Sequence, residues 1–256
     1  MKIAVCMKLV PDLQQIRIKE RAPVLDGVPL KFGAMDLNAL EEGVRWKEAH
    51  GGEVTVFCVG TPKLKEAVKE ALARGGDKAV LLTDSAFKGL GSEAVARLLA
   101  AAVRKTGGAD LVLCGEESTD HGSGEVPSRL SELLGCGFAS WVRKAEPKGN
   151  AVVVHRDMEE AIEVGEVALP AVLGVTTEIN QPRIASMVQI LRAAKKPVES
   201  FGAADLGLNA AELLAPKIKV SSDLAPVLNR KQVKIQGTVD ETVAALKQAL
   251  QKEGLL

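Results

Sequence analysis

Residues 109–134 read ADLVLCGEESTDHGSGEVPSRLSELL, and the fold turns on how that stretch is parsed. Leu111, Val112 and Leu113 form a short apolar run suited to a strand buried on both faces, and Cys114-Gly115 ends it. Ser118, Thr119, Asp120, Gly122, Ser123 and Gly124 then bring hydroxyls and exposed backbone N–H groups together just ahead of an amphipathic helix, whose N-terminus favours an anion. A phosphate fits such a loop. So does an ordinary strand-to-helix turn, and neither GxGxxG nor GxxxxGK[ST] is present to choose between them.

Upstream, the same alternation repeats. Residues 2–9, KIAVCMKL, read as a buried first strand stopped by Pro11 and Asp12. Ile16, Ile18, Val24 and Leu25 with Asp26-Gly27 predict a small hairpin excursion. Asp36 is expected to cap a helix running to His50, with Leu37, Leu40, Val44 and Lys47 on one stripe and Gly51-Gly52 at its end. Residues 54–59 form the second strand. Thr61-Pro62 predicts an N-cap and first helical residue, followed by Leu64, Ala67, Val68, Ala71 and Leu72 at helical spacing. Residues 79–82 are the third strand, and Ser92 opens a helix with Val95, Leu98, Leu99, Ala102 and Val103 inward. The order β-α-β-α-β-α-β-α implies an α/β fold: a doubly wound, mainly parallel sheet with helices on both faces, in which ligands lie beyond the carboxyl ends of the strands. Cys6, Val59 and Gly115 occupy those ends.

Beyond residue 137 the pattern changes. Residues 152–155 and 162–167 predict a hairpin around an acidic turn, and residues 171–175 another sheet strand. Residues 197–237 have weak periodicity and many turn residues, and read as an extended arm. A C-terminal helix follows, with Thr238 and Glu241 in capping-box spacing and Val239, Val243, Leu246 and Leu250 on a stripe. The division expected is an α/β nucleotide-binding domain over residues 1–196 and an arm and helix over 197–256.

The chain has 256 residues, 46% of them hydrophobic, and 33 basic residues balance 33 acidic ones. Such a chain buries a full core, and no global field points to nucleic acid or an anionic surface. No apolar run approaches the roughly eighteen residues of a membrane span, and no leader-like segment precedes the first strand, so a cytoplasmic protein without membrane insertion is expected. Cys6, Cys58, Cys114 and Cys136 are widely spaced and read as buried thiols; His50, His121 and His155 have no metal-ligand spacing. No nucleophile motif is present.

Several stretches resemble the β subunit of electron transfer flavoproteins. MDLNALEEGVRWKE at 35–48 is similar to that family's first helix, EALARGGDKAVLL at 70–82 to its next helix-strand turn, and ADLVLCGEESTD at 109–120 to the strand and loop of its AMP site. LPAVLGVTTEINQPRIASMVQILRAAKKP at 169–197 resembles its final strand and partner-recognition segment. Arg156, Glu159, Glu160 and Glu163 also follow the family signature, with Ala161 departing from it.

The resemblance implies an adenine-nucleotide-hydrolase-like fold, and a subunit without substrate chemistry that forms a heterodimer with an α subunit. It implies an FAD held mostly by the α subunit at the interface and an AMP in this chain, with electrons arriving from acyl-CoA and related dehydrogenases and leaving to a membrane quinone oxidoreductase. It assigns the AMP site to Cys6, to Gly33, Ala34, Met35 and Asp36, to Val59, and to Gly115, Glu116, Glu117, Ser118, Thr119, Asp120, His121, Gly122, Ser123, Gly124, Glu125 and Val126. Partner recognition falls to residues 180–196, chiefly Arg183, Ile184, Met187, Ile190 and Leu191. Gly33, Ala34 and Met35 depart from the family's usual residues, as do Glu125, Val126 and Pro127, and Glu125 repels a phosphate unless it points away or meets a base. Leu13 stands where an aromatic is common. Two other readings stay open: an electron-bifurcating form with a second FAD at the AMP position, and a stand-alone adenine-nucleotide-binding or hydrolysing domain using Asp120 and Glu125, for which the loop offers no lysine.

Overall fold

A computed structural model describes residues 1–84, 87, 89–215, 218, 220–227 and 230–256. The chain opens with β1 (Lys2–Met7) and an excursion of four short strands, β2 (Leu9–Pro11), β3 (Arg17–Lys19), β4 (Ala22–Val24) and β5 (Leu30–Phe32). Alternation follows as expected: α1 (Ala34–His50), β6 (Glu53–Gly60), α2 (Leu64–Ala73), β7 (Lys78–Thr83), α3 (Ser92–Lys105), β8 (Leu111–Gly115) and α4 (Glu125–Leu134). Then come β9 (Gly137–Lys148), β10 (Ala151–Asp157), β11 (Ile162–Ala168), β12 (Ala171–Val175), α5 (Met187–Ala193), β13 (Val198–Phe201), α6 (Ala210–Leu214) and α7 (Val239–Lys252).

Among the described residues, nine strands make one sheet in the order β11-β10-β9-β12-β8-β1-β6-β7-β13. From β9 to β13 all neighbours are parallel, whereas β9, β10 and β11 form an antiparallel meander. Strand alternation splits the core into two layers. Ile3, Val5 and Met7 of β1 face Val44, Leu64 and Val68 of α1 and α2, while Ala4 and Cys6 face Leu98 of α3 and Leu130 of α4. Each fully buried Leu or Val contributes about 1.5–3 kcal/mol. The exposed ion pairs that decorate the same helices, such as Lys69 with Glu66, contribute about 0–1 kcal/mol each. The apolar faces therefore hold the helices on the sheet.

Several local expectations are corrected. Gly33, not Asp36, is the N-cap of α1; Asp36 sits buried in the first turn. Helix α2 begins at Leu64, because Thr61 and Pro62 form a turn whose carbonyls accept from the N–H groups of Leu64 and Lys65. The β3-β4 ribbon turns at Glu20 and Arg21, both at positive φ, rather than at Asp26-Gly27. Strand β9 had no signature in the sequence for a physical reason. Its partner Leu173 pairs with Ala139 but Val175 with Val142, so a bulge falls at Ser140-Trp141, Trp141 takes φ 55°, and the period-two alternation is broken.

Part of the stretch expected as an extended arm belongs to the sheet and its core. Val198–Phe201 adds to the sheet edge beside β7, and Leu213 of α6 is buried in the core. Contacts divide the chain into one unit of residues 1–17 and 24–221 and another of residues 18–23 and 222–256. Within the second unit, Arg21 holds Ala225 by two hydrogen bonds, from Ala225 N to Arg21 O at 2.7 Å and from Arg21 Nε to Ala225 O at 2.9 Å. Helix α7 carries the capping box of Thr238 and Glu241, and Val239, Val243 and Leu246 remain exposed.

Candidate functional site

The parallel strands deliver their carboxyl ends to one edge, and two of those ends are knotted together by a single carboxylate. Asp36 Oδ2 accepts the N–H of Lys8, just past β1, at 2.9 Å, and the carboxylate also accepts the N–H of Gly115 at the end of β8. Only glycine fits at 115. A Cβ there would lie 2.7 Å from Asp36 Oδ1 and 2.9 Å from Met35 Cβ. Burial pushes the Asp36 carboxyl up to about 7, against the pull of the Lys8 amide and ammonium and the Gly115 amide.

From this knot the chain runs out as a ledge. Glu116 N–H donates to Val175 O at 2.9 Å and Gly122 N–H to Ser118 O at 2.8 Å, while residues 119–123 are exposed. Lys8 Nζ reaches across to Asp120 Oδ1 at 2.7 Å and Ser118 Oγ at 3.3 Å. Burial raises the Asp120 carboxyl, but Lys8 and the Ser118 hydroxyl outweigh that and hold it low. Gly124, at φ 61°, caps α4 with no side-chain partner for the helix N-terminus. The unpaired first N–H groups of α4 and the positive end of its dipole therefore face the ledge. Glu125 does not spoil this. Its Oε2 accepts from Ser92 Oγ and, at 3.2 Å, from Arg129 Nε, and these two partners hold its carboxyl below the usual range.

The donor set fits a phosphate: small residues, an uncapped helix start, one ammonium, and Asp120 and Glu125 already paired with partners of their own. The expected residues nonetheless divide by role. Gly33, Ala34, Met35 and Asp36 start α1 beside the ledge, with Asp36 occupied by backbone amides rather than open to a ligand. Cys6 is 6% exposed and pairs across strands with Cys114, its thiol in the α3-α4 layer. Val59 and Val126 are half-buried against that same layer. Glu116 turns away altogether: it is buried, accepts the Trp141 N–H at 2.8 Å, and stands over Gly174, where a Cβ would be 2.2 Å from its Oε2. It answers the amide freed by the β9 bulge. Glu117, Ser118, Thr119, Asp120, His121, Gly122, Ser123 and Gly124 make the ledge itself. Sequence reasoning missed Lys8, Ser92 and Arg129; only Lys8 left a signal, as the first residue beyond a strand end already assigned to the site.

The recognition segment is held by a different construction. Asn38 and Asn180 bond reciprocally, from Asn38 Nδ2 to Asn180 O at 2.7 Å and from Asn180 Nδ2 to Asn38 O at 3.0 Å. Asn180 Nδ2 also donates to Glu42 Oε2 at 3.0 Å. Arg183 forks onto Glu41 (Nε to Oε2, 2.8 Å) and Glu48 (Nη1 to Oε1, 2.6 Å), and its own N–H donates to Glu41 Oε2 at 3.1 Å. Its guanidinium is thus committed inward. Past it, Ser186 and Gln189 form a capping box for the short helix α5. Ile184 lies before that helix, 88% exposed, and Met187 and Leu191 are 72% and 70% exposed, with Val188 and Ile190 also open. Only Ala193 of α5 is buried.

Among the described residues no cluster of three His, Cys, Asp or Glu is placed to hold a metal ion, and no helix is long and apolar enough to cross a membrane. A cleft of about 200 Å³ lies beside the ledge rather than on it, between α3, α4 and α6, with Arg97 and Arg129 in its wall. A smaller cavity of about 40 Å³ sits at the opposite strand ends, by Lys2 and Thr55. The chemistry of the ledge, not enclosed volume, marks the site. Arg156, expected in a family signature, bonds Ser140 O at 3.0 Å and Glu163 Oε1 at 2.8 Å, bracing the meander.

Residues 24–206 match the family model described as the electron transfer flavoprotein domain. A curated protein of Clostridium acetobutylicum named electron transfer flavoprotein subunit beta is 36% identical over 93% of this chain and 92% of its own length. One of the same name from Thermoanaerobacterium thermosaccharolyticum is 36% identical over 98% of each chain. The caffeyl-CoA reductase-Etf complex subunit CarD of Acetobacterium woodii is 34% identical over the whole of both.

Proposed function

Because the chain belongs to the electron transfer flavoprotein family, matching its β subunits along nearly its whole length and having as such no substrate chemistry of its own, we propose a specific division of labour for its surfaces. The chain pairs with an α subunit in the cytoplasm, carries an AMP on the ledge at residues 115–126, and presents residues 183–191 to acyl-CoA and related flavin dehydrogenases. An FAD held mostly by the α subunit at the interface supplies the electron-carrying chemistry, and a membrane quinone oxidoreductase takes the electrons onward. The observation that carries the docking half of this reading is the set of apolar side chains, Ile184, Met187, Val188, Ile190 and Leu191, that stand exposed on a capped and anchored segment. A soluble monomer seldom leaves such a cluster uncovered without a partner for it. Methionine at its centre adapts to pockets of different shape, as a carrier serving several donors requires.

On the ledge, this chain's part is to bind and to hold charge. The α4 N-terminus and Lys8 face a phosphate, Asp36 keeps the ends of β1 and β8 in register, and Arg129 keeps Glu125 away. The test is the absorption spectrum and extracted nucleotide of the chain purified together with its α subunit. One flavin and one AMP per pair are expected; a pair with neither nucleotide on the β chain overturns the ledge assignment. A second reading has one observation in its favour, the full-length likeness to a subunit named for an assembly with caffeyl-CoA reductase. In that reading the ledge takes a second FAD, and the same extraction returns two flavins and no AMP.

A further inference from the structure

We propose that Glu41 and Glu48 on α1 are positioning residues for partner docking: through Arg183 they hold the exposed 184–191 segment in its docking geometry from outside it. The inference rests on the docking reading above and assigns it a mechanism. Four observations carry it. The large apolar residues of the segment are exposed; its hold on the interior is limited to Ala193, which is buried, and Ala185, which is half-buried against the core, although α5 lies along α2. Its seven residues are also too short to be stable as a helix unsupported. The chain immediately before it is fastened by charge. Glu41, 5% exposed, takes Arg183 through both the side chain and the backbone N–H, and Glu48 takes the other side of the fork at 2.6 and 2.9 Å. From the side of α2, Arg74 Nη1 donates to Arg183 O, so both the guanidinium and the carbonyl of that residue are held.

A planar guanidinium gripped by two carboxylates fixes direction as well as distance, which a lysine does not. Burial raises the Glu41 carboxyl, but Arg183 and Arg45 more than offset it and leave the group charged. The electrostatic anchor thus persists across the neutral range. Its role is to lower the ordering cost that a partner would otherwise meet when it binds a loose apolar segment.

The experiment uses the chain co-purified with its α subunit, as wild type, Glu48→Gln, Glu41→Gln and Met187→Ala. Two quantities are read: amide hydrogen exchange over residues 184–193, and KM and kcat for flavin reduction by an acyl-CoA dehydrogenase with its acyl-CoA. Glu48 is on the surface, so Glu48→Gln folds even if Glu41→Gln does not. Expected for Glu48→Gln is exchange over 187–193 faster by roughly tenfold with the sheet unaffected, a raised KM and a retained kcat. Exchange at the wild-type rate overturns the proposal, as does a fall in melting temperature with unchanged KM, which marks a merely structural ion pair. Met187→Ala separates the two layers of the argument: unchanged KM in that variant removes the docking reading, while the exchange measurement still decides whether the anchor holds the segment.

Discussion

Asp36 is the residue on which the candidate site hangs, and its position makes a pH-dependent prediction. Burial holds its proton in the folded chain up to a pH of about 7, against an ordinary value of 3.8. The folded state thus binds more protons than the unfolded one between those values, so this group's contribution to stability falls as pH rises from about 4 to about 7 and is level beyond. Asp36→Asn removes the titration while keeping one acceptor oxygen. Denaturant unfolding at pH 5 and pH 8 should show the variant gaining on the wild type at the higher pH; an identical difference at both pH values means that Asp36 is ionised throughout. Gly115 answers to sterics instead. A methyl at 2.7 Å from Asp36 Oδ1 and 3.1 Å from the Asp36 N must push α1 away from β8. Gly115→Ala should cost about 1–3 kcal/mol, the range for overpacking a close contact, and lower recovered AMP. Full stability and full nucleotide content in that variant would mean the α1-β8 junction is slack.

Among the elements, α7 and α5 are alike in carrying apolar residues outward and differ in how they are held. Segment 183–191 is anchored by Arg183, whereas α7 is a capped helix with none of its residues buried. Exposure of Val239, Val243 and Leu246 on one stripe fits a helix that is covered by another chain, and the α subunit is the occupant we propose. Deleting residues 237–256 should weaken assembly with the α subunit by about tenfold or more in titration, the scale of one lost hot spot. Unchanged affinity would leave α7 without a role in the heterodimer. The melting temperature of the isolated chain should not move, because α7 contributes nothing buried.

At the scale of the larger unit, the two core layers and the nine-stranded sheet carry the ledge and the docking segment as separate features. The ledge is open, with residues 119–123 exposed, so a bound nucleotide keeps a face uncovered by this chain alone. The isolated chain is therefore expected to be colourless and to lose AMP on dialysis, and to retain it once paired with the α subunit. Stoichiometric flavin on the isolated chain, read from its visible spectrum, would contradict the division of labour proposed here.

The sequence by itself determined the alternating α/β order, the buried strands β1, β6, β7, β8 and β12, the small-residue loop after β8 and the N-terminal capping box of α7, because each is written in local periodicity or in turn chemistry. Strand β9 was hidden by its bulge and β13 by its four residues at a sheet edge, since a broken or very short alternation leaves no period to read. Residue roles needed the tertiary structure. The resemblance assigns both Glu116 and Asp36 to the nucleotide site, yet one serves the Trp141 amide and the other the amides of Lys8 and Gly115. Arg183 reads as a surface cation until Glu41 and Glu48, more than 130 positions away, close on it. Which partner satisfies a charged or polar side chain depends on atoms brought near by folding, and separation along the chain carries no trace of that.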